Sequence, residues 1–342
     1  MEDRPFLGKK MEEDMEDLFN TSFIYENFTF FFNSSLDLYV PVAKSIALIP
    51  FLLVCLVGIV GNALVLFIFL WSRKMWRTMN IFIFSLALGD LINMLCLLCL
   101  AIELLHSLGT FMCILYWTLT ALTTFSSIYF LTIMSINVFL QTFFPVFSKK
   151  LSLKVAALTS LGIWILSLLL GIPFFLYANV DEYSNCLISW PEPAAFWSMT
   201  FISYRFAIAF LAPLMLISVC LILTQCWVRK QGQSSDSIVT DIKEDLVMIM
   251  VLSLIYIIFW FPTHLLEIVS GTHSDMEFSE GNYYVISIIP YLKSCVYPFI
   301  YGFLSRNFKY SFNRIFCCKK VPESDNPQKN SNDRPEDKST MC

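Results

Sequence analysis

Charged side chains are scarce. Asp, Glu, Lys and Arg make up 15% of the 342 residues, and there are three histidines. Between Cys113 and Pro145 there is no Asp, Glu, Lys, Arg or His at all. Metal-binding and catalytic clusters are missing too. The eleven cysteines and three histidines form no mixed Cys/His cluster at metal-ligand spacing, and no nucleophile–base constellation stands out. Neither a metal site, a cofactor nor an enzyme activity is therefore expected. A net charge of −4 gives no basic excess for nucleic acid. No apolar run precedes about residue 42, so no cleavable leader is visible and the first apolar span is expected to direct the chain to the membrane. No internal repeat is evident, which argues against an inverted-repeat transporter.

What is abundant is hydrocarbon. The chain is 57% apolar and 16% aromatic, with a mean hydropathy of +0.65, the composition of a polytopic membrane protein. A helix needs about 20 apolar residues to cross a bilayer. Seven stretches qualify, near 43–70, 79–105, 111–143, 154–177, 197–227, 245–270 and 283–304. The fold class expected is thus an all-α seven-helix membrane bundle. The third stretch reads as its central strut. Cys113, Trp117, Thr120, Thr124, Ser127, Leu131, Met134 and Val138 recur at three-four spacing and share one helical face.

The loops set an orientation. Arg73, Lys74 and Arg77 follow the first span, Lys149, Lys150 and Lys154 the third. Arg229, Lys230 and Lys243 flank the fifth-to-sixth connection, and Arg306, Lys309, Arg314, Lys319 and Lys320 follow the seventh. All lie on one side, which the positive-inside rule makes cytoplasmic. Residues 1–42 then form an extracellular tail, where Asn20, Asn27 and Asn33 head three glycosylation sequons. The bundle occupies 43–304. Residues 305–318 read as a short amphipathic helix on the membrane surface, in contact with lipid. It ends at Cys317-Cys318, either a palmitoylation site or two reduced thiols. Residues 319–342 form a polar, disordered tail.

Landmarks fall in a fixed order along these spans: Gly61-Asn62, Leu86-Ala87-Leu88-Gly89-Asp90, Cys113, Trp164, Pro213, Phe259-Trp260-Phe261-Pro262 and Tyr297-Pro298-Phe299-Ile300-Tyr301. Together they resemble a rhodopsin-like (class A) G-protein-coupled receptor over about residues 45–318. Tyr183 to Pro191, Ser294-Cys295 and Tyr301 to Phe308 are similar to the somatostatin, opioid and neuropeptide B/W receptors. The resemblance implies a plasma-membrane receptor for an extracellular peptide, with a heterotrimeric G protein, Gi-type if it signals, and arrestin as cytoplasmic partners. It also implies a Cys113–Cys186 disulfide, worth about 4 kcal/mol for a loop of this length. Trp260, above Pro262, matches the family's aromatic switch, and Pro298 permits a second kink.

The departures are as informative. Asn137-Val138-Phe139 stands where the family usually carries Asp-Arg-Tyr, Tyr297 replaces the asparagine before Pro298, and Leu221 replaces a fifth-helix tyrosine, while Tyr301 remains. Two readings stay open: drift that leaves signalling intact, or a decoy, scavenger or constitutively active receptor. Thr120 occupies the position where related receptors anchor a ligand cation on an aspartate, so an amine ligand would lose that salt bridge. Glu103, Arg205, Glu267 and Lys293 sit at membrane depth, where each costs about 2.5–3.5 kcal/mol on insertion scales. Trp260, His264 and Glu267 share a face of the sixth helix. Arg205 and Glu267 either flank the mouth of a peptide pocket or pair internally. Family members hold a sodium ion near the aspartate matched by Asp90, with a shell that maps to Ser127, Lys293 and Tyr297. The Lys293 ammonium is expected to replace that ion, the alternative being that it reaches outward to water. An opsin fits poorly, since its retinal lysine would fall at Val296.

Overall fold

A computed structural model describes residues 48–103, 109–148, 151–182, 186–232, 237–272 and 280–316. Among them are eight principal helices: α1 (Leu48–Trp71), α2 (Thr78–Glu103), α3 (Thr110–Phe143), α4 (Leu153–Tyr177), α5 (Ala194–Gln231), α6 (Ser237–Thr272), α7 (Glu280–Leu304) and α8 (Arg306–Phe316). Six of them are long and apolar enough to cross a membrane, and α7 adds a shorter apolar run, Ile288–Leu304. The seven-helix bundle is therefore as the hydropathy predicts. The sequons at Asn20, Asn27 and Asn33, and Cys317 and Cys318, lie outside the described residues.

Helix α3 packs against α2, α4, α5 and α6. The expectation of one mixed face understates it. Every residue from Ala121 to Ile128 is buried, so the middle of α3 has no lipid-facing side. A helix surrounded by protein has no need of amphipathicity, which is why the three-four pattern did not mark its true environment. The sixth helix also begins at Ser237, earlier than the apolar run near 245 suggests. Its extra turns are polar and carry Asp241, Glu244 and Asp245.

Proline sites show how the bundle satisfies its own backbone. A proline cannot donate to the carbonyl four residues back, and a bare carbonyl in hydrocarbon is costly. Pro298 would leave the Ser294 carbonyl bare; Asn62 Nδ2 of α1 donates to it at 2.8 Å, and to the Gly58 carbonyl at 2.8 Å. Pro213 would leave the Ala209 carbonyl bare; the Tyr256 hydroxyl of α6 donates to it at 3.0 Å. Just before Pro213, α5 widens into a π-helical turn, Ala207–Leu211, and the Tyr129 hydroxyl of α3 donates to the Ile208 carbonyl at 3.2 Å. The kinks are thereby tied to neighbouring helices. Gly171 breaks α4 where it touches α3: a Cβ there would stand 3.2 Å from the Ala121 Cβ.

Past α4 the chain forms an antiparallel ribbon, β1 (Ala178–Val180) with β2 (Cys186–Ile188), with Val180 opposite Cys186. Cys186 is disulfide-bonded to Cys113 at the start of α3, closing a separation of 73 residues. This pins the ribbon over the end of the bundle opposite α8. At the other end, α8 buries Phe308, and its Ser311 Oγ hydrogen-bonds Ser72 Oγ at 2.8 Å.

Candidate functional site

Two polar assemblies occupy the interior. The deeper one joins α2 to α7. Lys293 Nζ donates to Asp90 Oδ1 at 2.5 Å, and Ser294 Oγ donates to the same oxygen at 2.7 Å. Both charged residues are almost wholly buried, at 2% and 1% exposure. An isolated ion at such a depth would be strongly unfavourable; a contact pair with added hydrogen bonds offsets the desolvation. Asn93 Nδ2 reaches Ser294 Oγ at 3.4 Å, and Thr123 Oγ1 donates to Asn93 Oδ1 at 3.1 Å. The network thus runs from α3 through α2 to α7. Tyr297 stacks under Lys293, whose Nζ is 5.2 Å from the ring centroid, and its hydroxyl donates to the Leu252 carbonyl of α6 at 3.1 Å. Ser127 is buried, but its Oγ has no hydrogen-bond partner, and neither has Asp90 Oδ2. These residues do not suit a resident sodium ion. The Lys293 ammonium on Oδ1 already supplies the countercharge that a sodium ion would bring to this carboxylate.

The second assembly is a cavity of about 430 Å³ toward the disulfide end, within the usual range for ligand pockets. Its lining includes Trp117, Thr120, Arg205, Trp260, Glu267 and Tyr291. Arg205 of α5 pairs directly with Glu267 of α6, both partly buried. The ion pair expected as one alternative is present, and both partners border the cavity. His264 does not. It is 1% exposed and enclosed by Phe206, Phe210 and Trp260, with ring centroids 5.1–5.8 Å away. At about 100° per residue it lies about 40° round α6 from Trp260, whereas Glu267 lies about 20° round in the opposite sense. Sharing a broad face with Trp260 was thus not enough to reach the cavity; His264 turns toward α5. His264 packs among these rings, with its Nδ1 3.6 Å from Oε2 of the cavity-lining Glu267.

With this arrangement in view, the model of the 7 transmembrane receptor (rhodopsin family) matches residues 61–301. The chain belongs to the rhodopsin family of seven-transmembrane receptors. It is 33% identical over 292 residues to somatostatin receptor type 5 of Rattus norvegicus, covering 82% of this chain and 80% of that receptor. Against somatostatin receptor type 2 of Mus musculus it is 30% identical over 303 residues, 85% and 82% of the two chains. Against somatostatin receptor type 1 of Rattus norvegicus it is 32% identical over 282 residues, 77% and 70%. As a rhodopsin-family receptor it is a multi-pass membrane protein and not an enzyme.

The α8 end of α3 is largely apolar. Val138 is fully buried in the main core with Leu246 and Ile249 of α6. Asn137 is buried with its Nδ2 unpartnered, and Phe139 packs on Phe143 at 4.8 Å between ring centroids. Tyr297 and Tyr301 are buried side by side around Pro298, 6.3 Å between rings, and Leu221 is buried on α5.

Sequence reasoning missed Ser294, Asn93, Trp117 and Tyr291. Asn93 left a signal, three residues from Asp90 and hence on the same face of α2; Ser294 adjoins Lys293 but lies about 100° round α7 from it. The aromatic pair could not be found from the chain alone, because aromatics abound in every span. Cys96-Leu97-Leu98-Cys99 has Cys-x-x-Cys spacing, but it lies within α2, and no cluster of three or more His, Cys, Asp or Glu capable of holding a metal occurs among the described residues. The side chain of Glu103 lies outside the described residues.

Proposed function

We propose that this chain is a plasma-membrane receptor for an extracellular peptide, with the disulfide end outward and the α8 end in the cytoplasm, acting through a Gi-type heterotrimeric G protein when it signals. Arrestin would be its second cytoplasmic partner and lipid the partner of α8. The observation that carries this reading is the cavity lined by Thr120, Trp260 and the Arg205–Glu267 pair. It is large enough for the side chains of a peptide turn, and its polar groups are few and grouped. The similarity to somatostatin receptors supports a peptide as the ligand. Thr120 argues against an ammonium as the anchoring group, since a hydroxyl cannot supply a countercharge. Arg205 and Glu267 instead present both signs at one edge.

In this reading Lys293 is the receptor's own cation. It takes the place of a sodium ion beside Asp90 and fastens α7 to α2. The sequons at Asn20, Asn27 and Asn33 would be glycosylated, and Cys317 and Cys318 acylated beside the bilayer.

A second reading rests on Val138 and Tyr297. A valine sealed into the core cannot release a charge toward a G protein, so the chain would take up peptide without a second messenger, as a decoy or scavenger, or else signal at a fixed basal level. One experiment separates these. Cells expressing the protein are given a panel of peptides, including somatostatin-like and opioid-like ones, and both uptake and cyclic AMP are followed. Saturable binding with a fall in cyclic AMP supports the signalling receptor. Uptake alone supports the scavenger, an altered baseline without ligand the constitutive form, and no saturable peptide binding sinks the peptide reading.

A further inference from the structure

The charges at the cavity are not balanced evenly. Arg205 and Glu267 are the only charged side chains among its lining residues. They meet through one hydrogen bond, Arg205 Nη2 donating to Glu267 Oε1. Part of each group is left unused, for Arg205 Nε and Glu267 Oε2 have no hydrogen-bond partner. A third group stands behind them, one turn back on α6. His264 Nδ1 lies 3.6 Å from Glu267 Oε2, just beyond hydrogen-bond reach, and neither nitrogen of its ring has a partner. One carboxylate thus sits between a guanidinium and an imidazole, and the imidazole is able to take up a proton.

A charged ligand group must open this pair, and its sign sets what is left behind. An ammonium seated on Glu267 would draw it away from Arg205. The guanidinium would then lack a countercharge, since no second acid lines the cavity and Asp90 is held by Lys293. A carboxylate seated on Arg205 releases Glu267 instead, and Glu267 has a substitute partner beside it. His264 can accept a proton from solvent and donate it in a hydrogen bond to Oε2, so neither charge stands alone. Arg205 gains as well, because a guanidinium can hold a carboxylate with two parallel N–H groups in place of the one it now uses. No other group near the imidazole takes that role. From α5, Phe206 and Phe210 face its ring. Helix α3 has no charged residue, and Lys293, the only basic residue of α7, is on Asp90. Tyr129 and Tyr256 keep their hydroxyls on backbone carbonyls of α5.

We propose that the cavity selects a ligand carboxylate, which Arg205 grips while Glu267 turns to a protonated His264. The proposal rests on the reading of this cavity as the ligand site and names the chemistry that the site takes. The carboxylate is an acidic side chain or the end of a peptide chain, both of which present the same two oxygens. One proton enters from solvent with each carboxylate bound, so total charge at the site is conserved: the added anion is matched by the new imidazolium.

The test uses the full chain in lipid nanodiscs, titrated calorimetrically with capped dipeptides of matched size. The neutral probe is acetyl-asparaginyl-tryptophan amide. Acetyl-aspartyl-tryptophan amide carries an acidic side chain, acetyl-asparaginyl-tryptophan a free chain end, and acetyl-lysyl-tryptophan amide an ammonium. At least one acid should bind about tenfold more tightly than the neutral probe, and which acid does so tells the two sources apart. The lysyl probe should bind no better than the neutral one. Repeating the titrations in buffers of different ionisation heat should show about one proton taken up with the acid and none with the neutral probe. Arg205→Gln should erase the preference for the acid, and His264→Gln should abolish the proton uptake. Should Arg205→Gln fail to fold, the order of the probes and the proton count in the unmodified protein still give the answer. Equal binding of all the probes, or a preference for the lysyl one, overturns the carboxylate proposal and leaves the cavity as the ligand site. Acid binding without proton uptake, or with uptake that His264→Gln leaves unchanged, overturns the part given to His264. If no probe binds, the reading of the cavity as the ligand site falls, and the proposal with it.

Discussion

Lys293 and Asp90 lie 203 residues apart in sequence and 2.5 Å apart in space, both almost wholly buried. The pair is the only direct ionic link between α2 and α7 among the described residues. Removing one partner leaves the other charge buried and alone, which typically costs 3–5 kcal/mol. Removing both leaves two neutral groups of similar shape, a far milder change. Lys293→Met and Asp90→Asn should therefore each lower the melting temperature sharply, and the double variant should recover most of the loss. A double-mutant cycle on detergent-solubilised protein measures this. Equal losses that simply add would remove the pair from the account.

Asn62 makes a different kind of link. Its amide serves the Ser294 carbonyl that Pro298 leaves bare and the Gly58 carbonyl of its own helix. Asn62→Leu should destabilise by about 1–3 kcal/mol, the usual cost of an unsatisfied buried polar group. Thermal unfolding followed by tryptophan emission reads it.

The Tyr256–Ala209 bond yields a sharper test, because its need is created by Pro213. Tyr256→Phe should cost about 1–3 kcal/mol with the proline in place. In a Pro213→Ala background the restored N–H can serve that carbonyl, and the same substitution should cost less. The comparison requires four melting curves.

How much of this was legible in the sequence varied with the physics involved. The seven spans and their order were readable because hydrocarbon thickness imposes length and composition on every crossing helix. Lys293 was readable as a partner for Asp90 because a charge at that depth must find a countercharge. The surroundings of α3 were not, since a helix enclosed on all sides has no preferred face for periodicity to reveal. The surroundings of His264 were hidden for a related reason. A face about 60° wide covers both a ligand cavity and an aromatic core, and spacing alone cannot say which neighbour fills it. The ties from Tyr256 and Tyr129 to the kinked α5 were also hidden, because a tyrosine in a span advertises burial and not the carbonyl it will cap.

For the cavity, Arg205→Ala and Glu267→Ala separate two roles. Their direct pairing predicts a loss of folded protein at the cell surface from either substitution, partly recovered when both are made. A ligand role predicts, in addition, at least tenfold weaker binding, about 1.4 kcal/mol, by whatever folded receptor remains. Surface expression by antibody and peptide binding on the same cells give the two numbers.

The disulfide between Cys113 and Cys186 closes 73 residues. Its loss through Cys186→Ser should cost about 2–5 kcal/mol and free the ribbon over the cavity. Reducing agent should reproduce the drop in melting temperature in the unmodified protein and have no such effect on the variant.

The most direct measurement is a melting curve of the purified receptor across a sodium series, with potassium holding ionic strength constant. With the Lys293 ammonium seated on Asp90, the melting temperature should not change with sodium, and Lys293→Asn should introduce a sodium dependence by opening the carboxylate. A sodium-dependent rise in the unmodified protein, unaltered by Lys293→Asn, would contradict the account.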